Sequence, residues 1–145
     1  MSRRVLAIDV GQRRLGLAIS DRSGTLARPL STLTVTSDSD AVDRVASEVT
    51  RLAAEEDGLS TIVVGMPARL DGSPTTETPR VAAFVDSLKR RTPVAVVCED
   101  ERLSSREAES RLALSERDWR RRKKKLDAAA AAVILQDYLD RQTSG

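Results

Sequence analysis

Acidic side chains at three separate places in the sequence are the residues best suited to chemistry. Asp9 ends a short apolar run just before Gly11, the triplet 99–101 follows a second apolar run, and Asp127 precedes an alanine-rich stretch. Carboxylates that lie close together repel one another unless one is protonated or a cation neutralises them. Oxygen ligands favour hard cations such as Mg²⁺ or Mn²⁺, and a pair of such ions can hydrolyse a phosphodiester. The three positions together therefore predict a metal-dependent hydrolytic site.

Each of these acids also has a simpler explanation when it is taken alone. Asp9 could cap a turn, and Asp127 could be the N-cap or a first-turn acid of a helix. The triplet Glu99-Asp100-Glu101 could be solvated loop charge, and the residues alone do not settle which of its members is the ligand. The hypothesis of a metal site therefore depends on the conjunction of all three positions.

The composition excludes several other kinds of site. The 145 residues include no histidine and one cysteine. A Ser-His-Asp triad, a histidine general base, an intramolecular disulfide and a cysteine zinc cluster are therefore excluded. Aromatic residues make up 2% of the chain, so a stacking platform for single-stranded nucleic acid is not expected.

The hydrophobic pattern predicts elements that could bring the acids together. Apolar runs predict strands and three- to four-residue spacings predict helices. The predicted strands cover 5–8, 15–19, 25–36, 62–65 and 94–98, and the predicted helices cover 38–57, 77–91, a segment from 104 or 105, and 126–139. The first three strands form an antiparallel meander, and alternating helices and strands follow, so we expect a mixed five-stranded α/β sheet in one domain, 1–140, with a frayed, disordered tail at 141–145.

Strand ends explain why distant acids should meet. Ligand sites gather at the carboxyl ends of parallel strands, so Asp9 and the triplet should lie on one rim. We expect Asp127, at the start of the last helix, to swing onto that rim. If the last strand extends, Glu99 and Glu101 share a face and Asp100 points away. Cys98, on the same strand, is expected to be buried and inert.

Positive charge is concentrated in one segment. Residues 102–125 carry 10 basic and 4 acidic side chains, net +6, whereas 1–101 and 126–145 each carry net −2. Such a segment suits a polyanionic partner, and the alternative is a solvated loop that is mobile without one. Arg13 and Arg14 could also meet phosphate, although one of them could instead stabilise the acidic rim. The candidate nucleic-acid contacts are Arg13, Arg14, Ser105, Trp119, Arg120, Arg121, Arg122, Lys123, Lys124 and Lys125.

Four motifs carry a family resemblance. Residues 9–21 read DVGQRRLGLAISD, and the later motifs are GMP with DGS at 65–73, DERLSS at 100–105, and Asp127 with the helix that follows it. In this order they resemble the YqgF/RuvX family, small bacterial RNase H-like nucleases associated with Holliday junctions or with pre-16S rRNA. This chain has Ser105 where the family usually has threonine.

The resemblance implies a fold, a site and substrates. The implied fold is RNase H-like, with a five-stranded mixed sheet flanked by helices. The implied catalytic and metal-binding carboxylates are Asp9, Glu101 and Asp127, with Asp100 as a further candidate metal ligand. The implied activity is two-metal hydrolysis with Mg²⁺ or Mn²⁺, either processing the 5′ end of pre-16S rRNA or resolving Holliday junctions, so the partner would be precursor rRNA or branched DNA.

Two other functions stay open from the sequence. One is a non-catalytic nucleic-acid-binding or ribosome-assembly module that uses only the basic segment. The other is an actin- or sugar-kinase-like ATPase, because Asp9-Val10-Gly11 resembles a phosphate-binding hairpin, although the chain is short for a two-domain clamp. No apolar run reaches membrane length, so we expect a cytoplasmic protein with no membrane partner. Cleavage of a symmetric junction would suit a homodimer.

Overall fold

The computed structural model describes residues 3–69, 71–100 and 119–144. The elements alternate largely as the hydrophobic pattern predicts. In chain order they are β1 (Val5–Val10), β2 (Arg14–Ser20), β3 (Ala27–Thr34), α1 (Asp38–Ala54), β4 (Thr61–Met66), α2 (Thr78–Arg91), β5 (Ala95–Asp100) and α3 (Trp119–Ser144).

The strands form one sheet in the order β3-β2-β1-β4-β5. β1 to β3 pair antiparallel, and β4 and β5 extend the sheet in parallel from β1. Gly11 closes the first hairpin, since its N–H donates to the Arg14 carbonyl at 2.9 Å. The mixed sheet with three antiparallel strands is therefore confirmed.

Side chains of alternating residues build a core on each face of the sheet. Leu6 and Ile8 of β1 pack with α1 and α2, whereas Val5 and Ala7 pack with α3. Because successive side chains of a strand point to opposite faces, Asp9 lies on the α3 face. Its neighbour Val10 packs against the other core, as this alternation requires.

Helix α1 begins with a reciprocal cap. The Ser37 hydroxyl accepts the Asp40 N–H at 3.0 Å, and the Asp40 carboxylate accepts the Thr36 N–H at 2.9 Å. The first bond satisfies a backbone donor that a helix leaves unpaired at its start, and the second holds the residue that precedes the N-cap. The helix therefore begins at Asp38, as its sequence predicts.

The other end of α1 is held by the buried Arg4. Its guanidinium donates to the carbonyls of Leu52 at 2.9 Å and Gly58 at 2.7 Å, and it pairs with Glu55. Gly58 has a φ of +63°, which lets the chain turn toward β4. The helix consequently ends at Ala54, before the predicted limit at residue 57.

Strand β5 differs from its prediction. It spans Ala95–Asp100, so Glu99 and Asp100 belong to the strand and do not follow it. Glu99 is buried and Asp100 is exposed, in keeping with the alternation expected of an extended strand. The prediction of a buried Cys98 is wrong, since Cys98 is exposed. A strand at the sheet edge has a neighbour on one side only, so an apolar sequence does not guarantee burial there.

Helix α3 is longer than predicted in both directions. It begins at Trp119 and includes the basic residues 120–125, so this part of the basic segment is helical and not a loop. It also continues to Ser144, where the sequence predicted a frayed tail. Asp127 consequently lies well inside the helix and is not its N-cap. In the described part of the chain, no helix has the combined length and apolarity needed to cross a membrane. The helix predicted from residue 104 lies outside the described residues.

Candidate active site

Asp9 lies at the carboxyl end of β1 with glycines on the strands at either side. The register pairs Asp9 with Gly16 of β2. On the other side, Ile8 pairs with Val64, and continuing this register by one residue places Gly65 of β4 next to Asp9. The half-buried Asp9 side chain therefore has no side chain directly opposite it on either neighbouring strand.

Gly16 lets α3 pack closely on this part of the sheet. A Cβ atom at Gly16 would lie 1.8 Å from the carbonyl oxygen of Asp127 and 2.9 Å from the Ala128 nitrogen. The helix can therefore pack this closely only because residue 16 has no side chain. Since Gly16 is the cross-strand partner of Asp9, the contact places the backbone of Asp127 on the strand next to Asp9.

Arg14, which lies on the same strand as Gly16, forms an ion pair with Asp127. Its Nε lies 3.2 Å from Asp127 Oδ2, and the two side chains are 23% and 29% exposed. Both residues line a groove of about 540 Å³ whose other walls are Gly11, Gln12, Arg13 and Thr34. The sequence left open which arginine of the turn would stabilise the acids, and the structure pairs Arg14 with Asp127.

The turn that carries these arginines is fixed on two sides. The Val35 N–H donates to the Arg13 carbonyl at 2.8 Å, which ties the turn to the end of β3. On the other side, the Gln12 amide donates to Glu77 at 3.1 Å, just before α2. Hydrogen bonds from Arg80 and Gln12 hold the pKa of the Glu77 carboxyl below its ordinary value. The Arg13 side chain itself is exposed at the groove.

Glu99 adds a buried carboxylate on the same face. It pairs with Gly65 of β4 and forms an ion pair with Arg141 near the end of α3. Burial raises the pKa of the Glu99 carboxyl; the Arg141 guanidinium opposes this shift, and the charges of Asp137 and Asp100 reinforce it. A second ion pair thus joins α3 to a strand that ends at the rim.

The loop after β4 contains a tight turn at 71–73. The Asp71 carboxylate accepts the Ser73 N–H at 2.9 Å, and Gly72 has a φ of +89°. The Gly72 N–H donates to the Arg69 carbonyl at 2.8 Å. These contacts explain the Asp-Gly-Ser sequence as turn chemistry at the carboxyl end of β4.

The donors at this rim suit a hard cation. Asp9 and Asp127 both carry carboxylates, and oxygen ligands of this kind fit Mg²⁺ or Mn²⁺ and do not fit a soft metal. Within 3–69, 71–100 and 119–144, no group of three acidic or cysteine side chains is placed to hold a metal. The described residues alone therefore do not form a complete metal site.

Several predicted site residues lie outside the part of the chain that the structure describes. Glu101 and Ser105 fall in 101–118, and the side chains of 119–126 are likewise outside it, although their backbone belongs to α3. Asp100 is described and is exposed, on the face opposite Glu99.

Sequence reasoning missed two residues of this region. Thr34 lines the groove without any signal in the sequence. The sequence pattern placed Arg141 in the tail. A basic residue two positions after Leu139, the last apolar residue of the helix, could have indicated that the helix continues.

Comparisons with known proteins agree on one family. The RuvX family, described as Holliday junction resolvase, matches residues 3–141. A protein of Desulforudis audaxviator named "Putative pre-16S rRNA nuclease" is 34% identical over 142 residues, which cover 98% of this chain and 97% of that protein. A protein of Maridesulfovibrio salexigens with the same name is 40% identical over 138 residues, covering 95% and 98%.

A solved structure shares the fold. The RuvC protein of T. thermophilus, determined in complex with a Holliday junction substrate, superposes with a TM-score of 0.55 at 17% sequence identity. The alignment covers 96% of this chain and 95% of RuvC. At this identity the likeness concerns the fold alone, and it is the RNase H-like fold implied by the sequence motifs.

Proposed function

Because the chain belongs to the RuvX family, we propose that it is a metal-dependent nuclease that hydrolyses phosphodiester bonds in nucleic acid. The observation that supports this proposal is the packing of the Asp127 backbone on Gly16, the cross-strand partner of Asp9 at the carboxyl end of β1. In the proposal the two carboxylates converge there, and a bound cation would remove their repulsion. A groove of about 540 Å³ lies at this edge of the sheet and is lined by Arg13, Arg14 and Asp127.

The proposed metal ligands are Asp9, Asp127 and Glu101, with Asp100 as an additional candidate. Two Mg²⁺ or Mn²⁺ ions bound there would favour ionisation of the attacking water and stabilise the leaving oxygen. The chain's own contribution is positioning. β1 holds Asp9, the contact at Gly16 fixes the backbone of Asp127, and Glu101 would orient the attacking water.

Positive charge at the groove and in the first turns of α3 supports a nucleic-acid substrate. Arg13 is exposed at the groove, and the basic residues 120–125 precede Asp127 on the same helix. In the proposal these cations bind phosphates, while Ser105 and Trp119 contact the nucleic acid beside them. Each phosphate that is neutralised releases counterions, so binding should weaken steeply with salt.

For the substrate we propose the precursor of 16S rRNA, a Holliday junction, or both. The relatives are named for the first and the family for the second. Resolution of a symmetric junction would call for a homodimer, whereas trimming of an RNA end would not. The two substrates can therefore be separated by cleavage products and by oligomeric state together.

The test is a cleavage assay with Mg²⁺ and with Mn²⁺ on a mobile four-way junction, a linear duplex and a pre-16S rRNA fragment. Asp9→Asn keeps the size of the side chain but removes its charge, so we expect cleavage to fall by at least about a hundredfold. Asp43→Asn is the matched control, because Asp43 pairs with Arg91 on the other side of the sheet. This control should cleave like the native protein.

Equal cleavage by Asp9→Asn and the native protein would contradict the proposed site. Tight binding of nucleic acid without any metal-dependent turnover would favour the non-catalytic module instead. Hydrolysis of ATP that is lost in Asp9→Asn, with no effect on nucleic acid, would favour the ATPase alternative.

A further inference from the structure

The ion pair between Arg14 and Asp127 places a permanent positive charge at the candidate site. The Nε to Oδ2 distance is 3.2 Å, and neither side chain is more than 29% exposed. Solvent screens such a pair only in part. A guanidinium offers several N–H donors and no acceptor, so it presents charge and hydrogen bonds to the Asp127 carboxylate together.

Arg14 reaches Asp127 from a rigid position. It begins β2, where it pairs with Thr34 of β3, and its carbonyl accepts the Gly11 N–H. Strand alternation puts Arg14 on the same face as Gly16, against which the backbone of Asp127 packs. Both partners of the ion pair are therefore fixed by backbone contacts.

We propose that Arg14 is a positioning residue that fixes the Asp127 carboxylate before a divalent cation binds, and that it opposes the binding of that cation. This inference rests on the proposed function, in which Asp127 is a metal ligand. Arg14 compensates the charge of the Asp127 carboxylate in the metal-free protein, so this acid adds less repulsion to the site. The neighbouring Arg13, exposed at the same groove, instead suits contact with a phosphate.

Loss of Arg14 should have opposite effects on stability and on metal binding. Without it, the metal-free protein loses the ion pair between β2 and α3 and should unfold more easily. The same loss removes a cation that competes for Asp127, so a divalent ion should bind more tightly. Since a ligand stabilises the folded state that binds it, saturating metal should reduce the difference in stability.

The experiment uses Mn²⁺ alone as the probe, with the full chain and without nucleic acid. Arg14→Gln is compared with Arg13→Gln, which makes the same change of charge one residue away. We expect Arg14→Gln to bind Mn²⁺ about fivefold more tightly in calorimetry. Its melting temperature in EDTA should be about 3 °C lower, and this difference should shrink in saturating Mn²⁺. Arg13→Gln should change Mn²⁺ affinity by less than about twofold, because exposed charges are screened.

Arg14→Lys keeps the test decisive if Arg14→Gln does not fold. It retains the charge but loses the planar guanidinium, so it should shift both quantities in the same direction by a smaller amount. Variants of Arg14 that match those of Arg13 in both measurements would overturn the inference. If the Arg14 and Arg13 variants give the same values while the native protein still binds Mn²⁺ and cleaves nucleic acid, this inference fails and the proposed function stands. No Mn²⁺ binding by any variant would overturn it together with the metal dependence of the proposed nuclease.

Discussion

Gly16 sets the distance between the sheet and the helix that carries Asp127. The backbone of α3 fills the space that a side chain at residue 16 would need. A Cβ atom there would lie 1.8 Å from the Asp127 carbonyl oxygen. No rotamer change can relieve such an overlap, because both groups belong to main chains packed in the core. The position of one candidate ligand is thus fixed by a residue that has no functional group of its own.

Gly16→Ala should therefore damage both stability and the site. We expect the free energy of unfolding to fall by about 3 kcal/mol, since overpacking a core costs this much. Cleavage by the protein that stays folded should fall as well, because α3 must move away from β2 and carry Asp127 with it. Urea denaturation and a cleavage assay below the melting temperature measure the two effects.

Gly58→Ala is the matched control for this prediction. Gly58 has a φ of +63°, so alanine there is strained and should lower stability by about 1 kcal/mol. Gly58 lies in the turn that follows α1, and its replacement should leave cleavage unchanged. If Gly16→Ala cleaves as well as Gly58→Ala, the close contact does not position Asp127.

At the scale of the elements, the sequence predicted types and order better than boundaries. Alternation and helical spacing were sufficient for the mixed sheet, because both report which face is buried. They failed at β5, where Cys98 is apolar but exposed at the edge of the described sheet. They also failed at the ends of α3, where charged residues form helix without any apolar stripe to reveal it.

The candidate site was predictable only in part for a related reason. The end of a strand can be read from local sequence, so Asp9 could be placed on the rim. The approach of Asp127 depends on a contact between Gly16 and a helix more than a hundred residues later in the chain. The ion pairs of Arg14 and Glu99 depend on the same docking of α3, and local patterns carry no information about it.

The cap of α1 gives this element a pH-dependent stability. The backbone hydrogen bond from Thr36 holds the pKa of the Asp40 carboxyl below its ordinary value of 3.8. The folded state therefore binds fewer protons than the unfolded state as the pH falls past this value. The stability that Asp40 contributes is present above 3.8 and is lost as the pH falls through the lower folded pKa.

Asp40→Asn should flatten that dependence. From about pH 7 to about pH 3, thermal denaturation of the native protein should show a steeper loss of stability than the variant. Ser37→Ala is the control, because it removes the other half of the cap and no titrating group. Its curve should run parallel to that of the native protein. Parallel curves for Asp40→Asn would show that this carboxylate does not contribute through its ionisation.

At the scale of the whole molecule, basic residues lie on both sides of the sheet. The residues 120–125 begin the helix that packs on the Asp9 face, and Lys89 to Arg91 end α2 on the opposite face. Net charge alone cannot distinguish these two groups, since both would attract a polyanion from a distance. Only the first group adjoins the proposed site along the chain.

Replacing Arg120 to Arg122 with glutamine should therefore weaken nucleic-acid binding and flatten its salt dependence. If each arginine contacts one phosphate, the slope of log K against log salt should fall by about 2 to 3. Fluorescence anisotropy between about 50 and 200 mM salt measures it. The same change at Lys89 to Arg91 removes equal charge and should have a much smaller effect. Equal losses for the two triplets would indicate general attraction and no oriented binding.

The unequal packing of the two sheet faces bears on how sequences of this kind can diverge. One face presents leucine and isoleucine to α1 and α2, whereas the other presents Ala7, Ala18 and Gly16 to α3. Exchanges among large aliphatic residues are tolerated where neighbouring helices can readjust, and those two helices carry neither Asp9 nor Asp127. Substitutions can therefore accumulate on that side of the sheet without moving Asp9 or Asp127.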